Sequence, residues 1–299
     1  MDLLIIGHCT IDLHMKIDSA SISQEGAKMC FVHGSKIHVD ELKETCGGNA
    51  FNVAVGAETL GLAVGVYTEL GDDEASNKII KELRTHNVDT KFCVKNPKVV
   101  SNISAIISHG GERTIFSYHG KQKYSVKDFG SPKIIYYTSV PDGYENFQKE
   151  LVLYMKSHPK TILAFNPGSI HLRNGVESFR NILEITDILI VNKEEFNLIK
   201  SNNSAKLTIV TEGKNGATSH EKTKSIHVDA YTDNKPITDK TGAGDAFASG
   251  FISAIFYGKP LKEALTWGVA NAGSVIKEIG STEGLLKKDQ IEKIVRINI

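Results

Sequence analysis

The feature that most constrains this chain is a recurring unit, a short run of apolar residues that stops at a glycine or polar cluster and is followed by a helix-like stretch. Leu3-Leu4-Ile5-Ile6 ends at Gly7, and similar runs cover 64–67, 134–138, 161–165, 188–191 and 207–210. Runs without polar alternation suit parallel strands buried on both faces. Between them the spacing predicts helices over 49–60, 74–85, 144–156 and 176–184. Gly61 closes the first of these, whose apolar positions include Val53, Ala54, Ala57 and Leu60. Strand and helix in alternation imply an α/β fold, a doubly wound and mostly parallel sheet. Three further helices, ending near 257 and covering 261–279 and 289–296, complete it.

Two stretches break the pattern. In 13–45, Leu13, Met15 and Ile17 alternate, a polar loop runs through Gly26, and Ile37 and Val39 follow. In 90–118, two strand-like runs flank Gly110-Gly111 as a hairpin. Both read as antiparallel strands with one face in water, and together as a small antiparallel β lid, formed by 13–45 and 90–118, on one domain spanning 1–299. No repeat or low-complexity linker divides the chain.

Ligands of doubly wound sheets gather beyond the carboxyl ends of the strands, which puts Thr10 and Asp12 over a candidate site, although a turn role also suits Asp12. The densest cluster is Asp239-Lys240-Thr241-Gly242-Ala243-Gly244-Asp245, just before an apolar helical run. Gly242 and Gly244 leave backbone amides bare at a helix start, where the dipole favours an anion such as phosphate. A carboxylate beside a seated phosphate repels it unless it takes a proton from an attacking hydroxyl, so Asp245 reads as a general base. Cys46-Gly47-Gly48-Asn49-Ala50-Phe51-Asn52 opens a second glycine-rich helix entrance, where Asn49 and Asn52 could bond sugar-like hydroxyls or Asn49 could simply cap. Asn192 and Glu195 could hold a hydrated magnesium or form a capping box. Arg113, at the hairpin base, suits a surface position.

Charge excludes several partners. The 35 Lys and Arg balance 35 Asp and Glu, so no global field favours nucleic acid or a membrane surface. The apolar runs fall well short of the roughly 20 residues of a membrane span, and residues 1–6 carry no basic leader, which points to a cytoplasmic protein. The four cysteines lack metal-ligand or redox-pair spacing. A Gly-x4-Gly-Lys-Ser/Thr loop is absent, as are Gly-x-Gly-x-x-Gly after the first strand, Gly-x-Ser-x-Gly and His-Glu-x-x-His.

In this order the motifs resemble the ribokinase or PfkB family of small-molecule kinases over essentially the whole chain. Asp239 to Asp245 resembles its C-terminal motif Asp-Thr-x-Gly-Ala-Gly-Asp, and Gly47-Gly48 with Asn52 its substrate motif. The resemblance implies ATP-dependent phosphorylation of a hydroxymethyl group of a sugar or sugar acid, with Asp245 as base and the amides of Gly242, Ala243 and Gly244 as anion hole. It implies acceptor hydroxyls on Asp12, Gly48 and Asn52 and Mg2+ near Asn192 and Glu195, through water; Gly47, Asn49 and Arg113 join them as candidate acceptor residues. Nucleotide would lie along Asn192, Thr211, Gly213, Gly216, Thr241 and Asn271. The family often binds a monovalent cation such as K+, here through Asp239, Thr241 and Gly280. Lys240, where the family usually has Thr, sets that cation in question. A nucleoside kinase on the same scaffold is the alternative, and a catalytically silent ligand sensor a weaker one. Family analogy also suggests a homodimer.

Overall fold

The computed structural model of the protein describes residues 1–17, 23–25, 28–110, 112–233 and 235–298. Gly26 and Gly111, both read as loop or turn residues, lie outside the described residues. In the main sheet Leu3–Ile6 lies between Val64–Tyr67 and Ile134–Tyr137, and Ile162–Phe165, Ile188–Asn192 and Leu207–Thr211 follow outward, all parallel. Ala217–Glu221 and Lys224–Val228 finish that edge as an antiparallel hairpin. The chain therefore starts inside the sheet, adds one neighbour on one side, then crosses to build outward on the other. That reversal opens a crevice at the carboxyl end of Leu3–Ile6.

The apolar runs are buried on both faces, as their lack of alternation requires. Leu3, Ile5, Val64, Val66, Ile134 and Tyr136 point into one core with helices Asn49–Thr59, Ala243–Phe256 and Leu261–Val275. Leu4, Ile6, Tyr67, Ile135 and Tyr137 point into a second, aromatic-rich core against helix Glu145–Ser157. Helix Glu74–Thr85 has the predicted bounds and starts at a capping box, Asp73 accepting from Ser76 N. The helix expected over 176–184 is instead a 3-10 turn, Val176–Phe179, and a single turn, Arg180–Leu183. An unanticipated helix, Ser169–Asn174, precedes them, and Gly175 at φ 82° separates the two pieces.

A separate sheet orders Glu112–Tyr118, Asn102–His109, Thr10–Lys16 and Glu41–Gly47. Both outer pairs are antiparallel, and the two hairpin-like pairs meet through parallel pairing of Thr10–Lys16 with Asn102–His109. Ile37 and Val39, read as strand residues, precede the actual strand, which is the far more polar Glu41–Gly47. Register explains the polarity. One face carries Asp12, Thr45, Ser104 and Ser117 on its first rung, then His14, Lys43, Ile106 and Ile115, then Lys16, Glu41, Ser108 and Arg113. Hydrophobic residues such as Met15, Leu42, Phe116 and Tyr118 take the opposite face. No helix among the described residues is long and apolar enough to cross a membrane.

Candidate active site

Asp245 sits in the first turn of Ala243–Phe256 and is buried to 9% exposure. Asn49 donates through Nδ2 to its Oδ1 (2.8 Å) and Asn52 through Nδ2 to its Oδ2 (2.7 Å). Both donors come from the first turn of Asn49–Thr59, so the two glycine-rich helix entrances face each other. Asn52 is itself fixed, because Ser281 Oγ donates to its Oδ1 (2.7 Å). Burial pushes the Asp245 carboxyl up to about 6, and the two amide hydrogen bonds lower it. Such a group is ionised at neutral pH yet more basic than an ordinary aspartate.

The glycines around it serve different ends. Gly242 caps the helix in the left-handed region at φ 75°, and a Cβ there would lie 2.6 Å from Ser281 Cβ. Gly244 has neither constraint, since a Cβ would meet nothing within 4 Å. Its bareness keeps open space over the first-turn amides, where a helix start leaves donors to be met from outside. Ala243 N makes one long contact, 3.4 Å, with Lys240 O. Gly48, at φ 91°, lets the chain pass His8 O at a distance no Cβ allows.

Asp12 lies on the first rung of the small sheet and is buried. Burial pushes it up to about 6, with the Ser104 hydroxyl lowering it and the Asp245 charge raising it. Gly47 lies opposite Thr10, two residues on from the Asp12 partner Thr45, and a Cβ there would strike Asp12 Oδ2. Two carboxylates, two carboxamides and glycine backbone thus meet where Leu3–Ile6 ends. Beyond them a cavity of about 690 Å³ follows the polar face of the small sheet, past His14, Lys43 and Arg113 to Asp239 and Ile279. Arg113 pairs with Asp239 (Nη1 to Oδ1, 3.2 Å), and Thr241 donates to that same oxygen through N (2.8 Å) and Oγ1 (2.6 Å).

Farther along the same sheet edge, Asn192 and Thr211 are partners in register at the ends of adjacent parallel strands. Asn192 Oδ1 accepts from Glu195 N (2.8 Å), and Glu195 Oε2 accepts from Asn192 N (2.9 Å), a capping box. Glu195 is pushed up by burial. Gly213 and Gly216 follow Thr211 with φ of 58° and 90°, forming a tight turn. Buried Tyr136 spans the two sides, its hydroxyl raised by burial and by the charges of both Asp245 and Glu195. Asn271 is wholly buried, donating to Ala246 O (2.9 Å) and Ser249 Oγ (3.1 Å) and accepting from Leu286 N (3.0 Å). It braces the helix pair.

The model of the pfkB family of carbohydrate kinases matches residues 2–288. The chain belongs to this family. It is 23% identical over 289 residues to the ATP-dependent 6-phosphofructokinase of Thermoanaerobacterium thermosaccharolyticum, covering 88% of each chain. The crystal structure of Methanocaldococcus jannaschii nucleoside kinase, an archaeal member of the ribokinase family, superposes with TM-score 0.84 at 22% identity over 99% of both chains. A ribokinase of Cryptococcus neoformans in complex with ADP gives TM-score 0.76 at 20% identity over 98% of this chain and 99% of that one. The fold is ribokinase-like, and the protein is a pfkB kinase whose relatives act on sugars or nucleosides.

Within this pfkB kinase, sequence reasoning missed Ser281, which holds Asn52 and packs on Gly242, and the Ser104 and Ser117 pair on the first rung (3.5 Å). The Gly280-Ser281-Thr282 turn was a visible signal for the first, while the serines carried none.

Proposed function

We propose that the protein transfers the γ-phosphoryl group of ATP to a hydroxymethyl group of a small sugar or sugar acid, with Asp245 as general base. The observation that carries this reading is the corner itself, a buried carboxylate raised to about 6 and aimed by two carboxamides beside an open helix start. As the acceptor oxygen forms its bond to the γ-phosphorus, its proton passes to Asp245 and the bond to the ADP oxygen breaks. The amides of Gly242, Ala243 and Gly244 stabilise the charge on the transferring group. Asp12, Gly47, Gly48, Asn49 and Asn52 hold the acceptor hydroxyls. Nucleotide phosphates lie along Thr241, Asn192, Thr211, Gly213 and Gly216.

Mg2+ bound with the nucleotide would shield phosphate charge. Asn192 and Glu195 fit that ion through water, because one oxygen of each side chain already closes the capping box. The small sheet acts as a lid, its polar face turned to the acceptor and excluding water that would otherwise take the phosphoryl group. Exposed Leu42, Phe116 and Tyr118 on its other face suit a second copy of the chain, and the protein works in the cytoplasm as a homodimer. Sedimentation of wild type against Phe116→Lys tests the dimer, which the lysine should dissociate.

A nucleoside acceptor is the second reading, favoured by the structural likeness to a nucleoside kinase. The cavity favours the sugar class: among the described residues its lining is mostly charged or polar, its aliphatic part is Ile17, Ile106 and Ile279, and its rings are the imidazoles of His14 and His109 rather than a tyrosine, phenylalanine or tryptophan. ADP release over a panel of sugars, sugar acids and nucleosides decides between them. No turnover on any member would favour a silent sensor, against which the intact Asp245, Gly242 and Gly244 stand.

A further inference from the structure

We infer that Arg113 is a positioning residue that stands in the place of a monovalent cation at the anion-hole loop, so that this kinase is indifferent to K+. The inference rests on the kinase reading for its rate measurements, but not for its binding test. The resemblance puts such a cation at Asp239, Thr241 and Gly280, and the Asp239 oxygen that faces Thr241 is already taken. Asp239 Oδ1 already accepts three hydrogens, from Thr241 N, Thr241 Oγ1 and the Arg113 guanidinium. A carboxylate oxygen offers about two lone-pair sites, so this one is saturated. A cation on the same oxygen would have to expel the guanidinium or lie against its like charge.

The neighbouring loop is occupied in the same manner. Lys43 donates through Nζ to Ile279 O (3.1 Å) and pairs with Glu283 (3.2 Å). Next to Ile279 is Gly280, and then Ser281, whose Cβ lies where a side chain on Gly242 would go. Loops 238–241 and 279–283 therefore flank Gly242, and each receives one cationic side chain from the polar face of the small sheet. Arg113 comes from an edge strand and Asp239 from a segment 126 residues later, both largely shielded, with side-chain exposures of 28% and 14%. The guanidinium is a fixed, permanently charged fork, which suits a structural charge better than a freely exchanging ion. It also ties the shape of the anion hole to the position of the small sheet, so its loss should reach the phosphoryl-transfer step before acceptor binding.

The test compares wild type, Arg113→Met and Arg113→Lys as full chains in KCl and in choline chloride at matched ionic strength. Melting temperature of the protein alone is read first. Wild type and Arg113→Lys should melt alike in both salts, whereas Arg113→Met should melt higher in KCl. With a turned-over acceptor, Arg113→Met should lose about tenfold to a hundredfold in kcat with little change in acceptor KM, and recover part of it in KCl. A wild type stabilised by K+ over choline overturns the proposal, as does an Arg113→Met protein that gains no K+ response. A raised acceptor KM with kcat retained would make Arg113 an acceptor ligand and overturn it too. If Arg113→Met does not fold, the wild-type salt comparison still decides whether the cation position is filled. Absence of turnover on every acceptor sinks the kinase reading and leaves the melting comparison standing.

Discussion

The corner around Asp245 and the polar face of the small sheet differ in how firmly their polar atoms are held. At the corner, Asp245, Asn52 and Ser281 are buried within 9% exposure and each has a fixed partner. On the outer rungs, Lys16, Lys43 and Glu41 are about half-exposed or more and form direct but solvent-accessible ion pairs, Lys16 with Glu41 and Lys43 with Glu283. Surface pairs of this kind contribute little to stability and rearrange easily. The contrast separates two tasks. On the proposed reading, proton abstraction needs a group placed before the substrate arrives, and packing against two helices would provide that. On the same reading, acceptor choice needs side chains that can be exchanged without harm to the core, and the cavity-lining, solvent-accessible face of the small sheet would provide those.

The contrast breaks most sharply at Asp245. Asp245→Asn keeps shape and removes basicity, so kcat should fall about 10²–10⁴-fold with acceptor KM nearly kept. Near-normal turnover would mean that the base lies elsewhere and that the corner is only structural. A smaller effect is expected at Gly244. A methyl there meets no protein atom, so Gly244→Ala should leave the melting temperature unchanged or slightly raised, by up to about 0.5–1 kcal/mol in stability. It should nonetheless cost about tenfold or more in kcat or nucleotide KM, because it fills space the phosphates need. Gly242→Ala is the control that reverses the pattern, losing stability through its positive φ and its contact with Ser281.

Next comes pH. With Asp245 raised to about 6, kcat should be level above that value and fall about tenfold per unit below it, as the base takes up its proton. A profile flat to pH 5 would contradict the assignment. Stability runs the other way. Asp245 and Asp12 bind protons more tightly folded than unfolded, so their contribution is fully present below 3.8 and is lost as pH rises through about 6. Denaturant titrations should show that loss, and Asp12→Asn should flatten it. The smallest effect belongs to the second rung. His14→Asn changes one lining residue of the cavity and gives up its hydrogen bond with Thr45 (3.0 Å), so acceptor KM should move several-fold while stability falls by no more than about 1 kcal/mol. Equal damage to kcat would show that the two regions are not separable.

The sequence by itself determined the parallel sheet, the helix entrances and the family, because these depend on local rules. A continuous apolar run must be covered on both faces, and glycine pairs at helix starts expose backbone wherever the chain goes next. The Asn192 and Glu195 capping box was legible for the same reason, since its two partners are three residues apart. Tertiary structure alone decided who meets whom across the chain. Asn49 and Asn52 reach Asp245 over more than 190 positions, Ser281 reaches Asn52 over 229, and Arg113 reaches Asp239 over 126. It also turned the polar side of the small sheet inward, against the usual expectation that hydrophobic side chains face the protein. In a strand, a shift of one residue exchanges the two faces, and nothing local to 41–47 or 112–118 fixes that choice. The choice follows from pairing Thr10–Lys16 beside Asn102–His109, a register set by where the main sheet releases the chain after Ile6.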